Sequence, residues 1–268
     1  MSRKAAILGL GGHSFIAQLG NDPPASFEEQ CAVVAACLDA GIQLIDTTYY
    51  QERVALRHVL RALGRRDEAE IAAWNFFRQP GREDDLVGPT PYAPHHIDVM
   101  LEELQTDHID VLVIHTHENA EELRRELQLA ERWQAQGKVR SVALGMVEAA
   151  HLRALGTDHP ITHVLAPYNA FTQGAAAVFV QAREQGLRTI ALSPFVRGWK
   201  LDEIDEDPAT VAPILLRWAA FSDHVDRVVV AMRRREWVAA NVRALRQGPL
   251  TAAENARLAA WIGRSRGA

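Results

Sequence analysis

The chain has 268 residues, 48% of them hydrophobic, which is ample for a substantial core, and its 29 basic and 34 acidic residues are interspersed to a net charge of -5. That balance speaks against a nucleic-acid footprint or a polybasic membrane patch and fits a small or neutral partner. Cys31 and Cys37, the only cysteines, fall inside the helical pattern EEQCAVVAACLDAG and read as small buried residues of a protein in a reducing compartment. The start, MSRKAAILGLGG, lacks the apolar stretch of a signal peptide, and no run approaches the ~20 apolar residues of a membrane span. A cytoplasmic protein is expected.

Along the chain, short apolar runs alternate with longer amphipathic segments. The runs are AAILGLG, IQLID, EIAAWNF, IDVLVIH, VRSVALG, ITHVLAP, RTIALSP and VDRVVVAM, each too short for a helix. Between them lie helical patterns such as FEEQCAVVAACLDAG, PHHIDVMLEELQT, AEELRRELQLAERWQAQG and GAAAVFVQAREQG, three of which end on the glycine expected just past a helix. Eight strand–helix units with no break into halves predict one (β/α)8 TIM barrel domain over 1–268, with functional residues just after the strands. Residues 76–92 and 194–208 read as loops over the barrel mouth.

At those strand ends the chemistry-bearing residues are His13 after the first run, Asp46 with Tyr49 and Tyr50 after the second, His115 and His117 after the fourth, and Glu148 after the fifth. Asp46 could merely cap the next helix, and Glu148 could be a first-turn acid favoured by the helix dipole. His115 and His117, two apart, share a strand face and match a metal-ligand spacing that His13, Asp46 and Glu148 could complete, but no metal is favoured.

The ordered motifs GLGG, GIQLIDTTYY, HIDVLVIH, GKVRSVALG, APYNAF, IALSPF and EWVAANVRAL resemble the aldo-keto reductase superfamily over nearly the full chain. In that family an Asp, a Tyr, a Lys and a His reduce carbonyls with NADPH, the Tyr giving its proton to the carbonyl oxygen with help from Lys and Asp. The resemblance carries the Asp onto Asp46 and the His onto His115. It carries the Tyr onto Tyr50, with Tyr49 open because the spacing from Asp46 is one residue short. The lysine is missing, and Trp74 stands in its place. At the nicotinamide end Met146, Val147 and Glu148 replace a Ser-Asn pair, Leu165 a Gln and Leu192 a stacking Tyr. Ser193, Arg197, Arg233, Arg234 and Asn241 fall where the family holds the rest of the cofactor. Lost hydrogen bonds of about 0.5 to 1.5 kcal/mol each would loosen the usual ring pose by several kcal/mol.

These losses imply, as the first expectation, redox-neutral acid–base chemistry on a small carbonyl compound (dehydration, elimination, isomerisation or epimerisation) with no cofactor. The alternatives are an NADPH-dependent oxidoreductase acting on a carbonyl or imine, and a non-catalytic or metal-dependent binding barrel. Asp46, Tyr50, His115 and Glu148 are the expected catalytic set, and His13, Tyr49, Trp74, His117, Leu165, Tyr168 and Leu192 the pocket. Without a lysine, Tyr50 is expected as a neutral hydrogen-bond donor, and His115, titrating near neutrality, as the base.

Overall fold

The computed structural model describes residues 7–17, 25–155, 159–198, 201 and 203–266. Each of the eight predicted runs yields one strand: β1 (Leu8–Gly11), β2 (Leu44–Tyr49), β3 (Glu70–Phe76), β4 (Ile109–His115), β5 (Val139–Gly145), β6 (Ile161–Pro167), β7 (Arg188–Leu192) and β8 (Arg227–Val230). All are parallel, in sequence order, and β8 closes on β1 with Leu10 beside Val230. The result is the expected (β/α)8 barrel.

The helices around it are α1 (Phe27–Ala40), α2 (Tyr50–Leu63), α3 (His96–Leu104), α4 (Ala120–Ala135), α5 (Ala149–Ala154), α6 (Ala176–Glu184), α7 (Pro208–Ala220), α8 (Arg235–Arg246) and α9 (Ala252–Arg266). Their ends follow local chemistry. Ser26 and Glu29 form a reciprocal capping box that starts α1, and Gly41, at φ 84°, stops it in the left-handed conformation that costs glycine least. No helix among the described residues is long and apolar enough to cross a membrane.

Two apolar layers result from the period-two alternation of the strands. Outward-facing residues such as Ile45, Ala73, Leu112 and Val142 pack under the helices. Leu44, Ala72, Trp74, Val111, Val113, Ala143, Leu165, Ile190 and Val229 fill the barrel interior. The interior tolerates one large ring because its neighbour is small: a Cβ on Gly145 would lie 2.0 Å from Cζ3 of Trp74. Glycine at the end of β5 is therefore a steric requirement of tryptophan on β3.

Candidate active site

Asp46 lies on β2 between Gly11 of β1 and Ala72 of β3, at the C-terminal end of the barrel. The Trp74 indole reaches from it across to Gly145, and Trp74 Nε1 donates a 2.7 Å hydrogen bond to Asp46 Oδ1. Asp46 is only 6% exposed. A charged lysine at position 74 would favour the carboxylate, whereas an indole N–H gives one hydrogen bond and no charge. Burial therefore dominates, and the nearby Glu52 carboxylate adds to it, so the Asp46 carboxyl is pushed up to about 7 despite the indole bond and His13. Such a group exchanges protons at neutral pH.

Aromatic rings wall this acid. Phe76, two residues beyond Trp74 and on the same strand face, meets Tyr49 edge-on at 5.2 Å and His115 at 5.7 Å between centroids. Trp74 lies 6.1 Å from the His115 ring. Tyr49 stacks on His13 at 6.0 Å. Leu165 is buried in the same interior cluster, and Leu192 packs against it. Of the sequence-predicted residues, the structure thus brings Asp46, Tyr49, Trp74, His115, His13, Leu165 and Leu192 together.

Others turn elsewhere. The Tyr50 hydroxyl, whose phenol burial pushes above its ordinary value, donates to the backbone carbonyl of Glu83 in the loop after β3. The short Asp-to-tyrosine spacing places Tyr50 at the first position of α2, so Tyr49 is the tyrosine facing the mouth. His117, already past β4, bonds at 2.7 Å to Glu126, a fully buried carboxylate of α4 that also accepts from the Tyr92 N–H. His115 and His117 therefore do not share a face, and no group of three or more metal-ligating side chains occurs among the described residues. Glu148 is exposed at the start of α5, with its backbone N–H donating to His151. Tyr168 points out of the barrel, stacked on Trp218 and within 3.0 Å of His224.

His115 differs from expectation in its protonation. Its Nδ1 faces the Thr116 carbonyl at 2.8 Å, an acceptor only, so Nδ1 carries the hydrogen and the neutral ring leaves Nε2 as an acceptor. Burial lowers its pKa below the ordinary histidine value. Burial thus favours the neutral ring over the cation.

Two residues of this site were not singled out by sequence reasoning. Glu52, fully buried on the first turn of α2, accepts hydrogen bonds from the Thr48 and Tyr49 N–H groups with Oε2 and meets His13 Nδ1 with Oε1. Phe76 is the other. Its position two after Trp74 on one strand was the signal available.

Of the expected cofactor residues, Arg233, Arg234 and Asn241 follow β8. Arg233 reaches the carbonyls of His13 and Ile16, Arg234 is exposed at the N-cap of α8, and Asn241 is buried on that helix. Ser193 follows β7 with φ 56°, and its carbonyl accepts from Asn169 Nδ2. The side chain of Arg197 lies outside the described residues. A helix N-terminus with two guanidinium groups is a donor set that suits phosphate. Where the resemblance would put the nicotinamide, Leu165 and Leu192 contribute no polar side-chain atom, and Met146 is exposed at φ 56°.

The sequence profile described as the Aldo/keto reductase family matches residues 8–210. Among solved structures, an aldo-keto reductase from Bacillus halodurans in its holo form superposes with a TM-score of 0.77 at 20% identity, over 95% of this chain and 91% of that one. An aldo/keto reductase from Klebsiella pneumoniae in complex with NADP and acetate superposes with a TM-score of 0.74 at 20% identity, over 94% and 89%. At this identity the structural likeness is one of fold.

Proposed function

Since this chain belongs to the aldo/keto reductase family, we propose that it is an NADPH-dependent oxidoreductase of a small carbonyl compound, with Asp46 exchanging the proton at the substrate oxygen. The observation that carries this reading is the setting of Asp46: buried, facing the mouth among aromatic rings, and titrating at about 7. At neutral pH such a carboxyl is present in both forms, the condition under which a general acid or base works best. Trp74 Nε1 occupies Oδ1 and orients the carboxyl, which leaves the second oxygen for substrate. His115 Nε2, held as an acceptor, positions a substrate hydroxyl or ordered water. The rings of Phe76, Tyr49 and Trp74 exclude water and offer flat faces to a planar carbonyl.

Arg233, Arg234 and the first turn of α8 would hold a phosphate of the dinucleotide, and bound NADPH supplies hydride in this family. A second reading keeps its place because of Trp74, Leu165 and Leu192, which offer the nicotinamide carboxamide little polar contact: redox-neutral proton transfer at the same Asp46. Titration of the protein with NADPH, followed by tryptophan fluorescence and then by NADPH consumption over short-chain aldehydes and ketones, separates the two. Micromolar binding with consumption that falls at least ~10²-fold in Asp46→Asn is the expected result. Absence of binding, together with solvent deuterium exchange into the carbonyl compound, would replace reduction with the redox-neutral reading.

A further inference from the structure

His13 and Glu52 form a hydrogen-bonded pair at the mouth that the Asp46 reading does not use. His13 sits in the 3-10 turn after β1 (Gly12–Ser14), and its Nδ1 lies 2.7 Å from Glu52 Oε1. Glu52 is fully buried. Its other oxygen accepts from Thr48 and Tyr49 N–H at 2.5 and 3.3 Å, so the carboxylate cannot rotate away. Room for it exists because residue 12 is glycine: a Cβ there would lie 2.0 Å from Glu52 Oε2. Capping the start of α2 needs only that one oxygen. Capping therefore does not account for the second oxygen, which is spent on an imidazole.

The imidazole itself is fixed on several sides. Tyr49 stacks on its face, and Arg233 grips its backbone carbonyl. Its Nε2 has no hydrogen-bond partner among the described residues, and the side chain is 27% exposed. A carboxylate that locks one ring nitrogen as a donor presents the other as a proton acceptor and stabilises the cation once formed, the logic of histidine–carboxylate pairs in acid–base sites. The charged groups facing this ring are Glu52 itself, Asp46 on the adjacent strand and Arg233.

We propose that His13, positioned by Glu52, is a second proton-exchanging group of this mouth, beside Asp46. The assignment rests on the reading of the Asp46 mouth as the reaction site. In its cationic form His13 gives the Nε2 proton to a substrate oxygen. The N–H bond breaks, its electron pair stays on Nε2, an O–H bond forms, and the neutral ring keeps Nδ1–H on Glu52. Water at the exposed edge reloads Nε2.

The test has a spectroscopic arm and a kinetic arm. In protein labelled with ¹⁵N-histidine, long-range ¹⁵N–¹H correlations in mildly alkaline buffer report which nitrogen of each neutral ring carries hydrogen, and loss of one signal set in His13→Gln assigns His13. The expected result is hydrogen on Nδ1 in the wild type, reverting toward Nε2 in Glu52→Gln, with partial recovery in Glu52→Asp. In the kinetic arm, with NADPH and short-chain aldehydes or by solvent deuterium exchange, His13→Gln should lower kcat about 10²-fold and leave KM within about threefold. Hydrogen on Nε2 in the wild type, or turnover by His13→Gln within threefold of wild type, overturns the proposal. Loss of turnover in Asp46→Asn with none in His13→Gln would sink this inference and leave the proposed function standing. Turnover by Asp46→Asn within threefold of wild type would remove the proposed function, and the His13 tautomer would still be read. Where Glu52→Gln does not fold, as its melting curve would reveal, His13→Gln alone decides.

Discussion

Asp46→Asn should raise the stability of this protein at pH 8 while it abolishes proton exchange, and the size of the gain follows from burial. The Asp46 carboxyl titrates at about 7 in the fold against an ordinary 3.8. Below pH 3.8 both folded and unfolded chains hold the proton, and the residue contributes no pH dependence. Between 3.8 and about 7 the folded chain holds more proton than the unfolded one, so stability falls as pH rises. At 1.36 kcal/mol per unit, the full cost of the ionisable group above pH 7 is about 4 kcal/mol. Part of it is shared with the neighbouring Glu52 carboxylate, so about 2 to 4 kcal/mol is the expected gain from a neutral isostere. Asparagine keeps an Oδ1 for the Trp74 N–H, so the indole stays in place. Urea unfolding of the two proteins at pH 4 and pH 8 is the assay: the curves should nearly coincide at pH 4, with the variant ahead at pH 8. Equal stability at pH 8, or a gain larger at pH 4, would refute the reasoning.

Other perturbations follow from the same contacts. Gly145→Ala puts a methyl into the Trp74 ring, so it should cost about 1 to 3 kcal/mol and shift tryptophan fluorescence as the indole leaves Asp46. Arg53, fully buried, donates to the carbonyls of Trp74 and Phe76 and to Glu103. Arg53→Met should cost about 3 to 5 kcal/mol in denaturant unfolding by stranding those acceptors. His163, buried near the start of β6 with no partner for Nε2 among the described residues, is pushed by burial down to about 4 from an ordinary 6.5. Stability should therefore rise with pH between about 4 and 6.5 and be lost as pH falls through that window, and His163→Leu should flatten this acid limb by about 3 kcal/mol in unfolding followed against pH.

Much of the fold was legible because the strand signal and the barrel repeat are local properties. EIAAWNF and IDVLVIH are short apolar runs wherever they occur, and eight of them alternating with helices admit few architectures. Period-two reasoning would also have placed Phe76 beside Trp74. The site was less legible where register or long-range contact decides direction. Whether Tyr49 or Tyr50 faces the mouth turns on one residue of strand end, since α2 begins at Tyr50 and sends its hydroxyl to Glu83. Tyr168 is drawn outward by Trp218 and His224, which are distant in sequence. Glu52 carries no sequence signal that sets it apart from other acids in first turns of helices, and the missing Cβ of Gly12, forty residues away in the chain (52 against 12), lets it turn inward toward His13.

The absence of lysine at position 74 has consequences beyond the loss of one contact. A tryptophan there brings no charge to Asp46, and burial then sets the carboxyl near neutrality instead of well below it. It also demands glycine at 145, because the ring occupies the space a β5 side chain would need. On the proposed function, a carboxyl raised to about 7 would exchange the proton without the activation of a phenol of ordinary pKa near 10. A lysine returned to position 74 would face Gly145 across a gap the indole had filled, with Leu165 and Leu192 still offering nothing polar at the ring end. Such a cation would pull the Asp46 carboxyl down and so remove the acid–base group that the proposed function requires. The tryptophan, the glycine and the raised acid thus belong to one design, and they change as a set or fail singly.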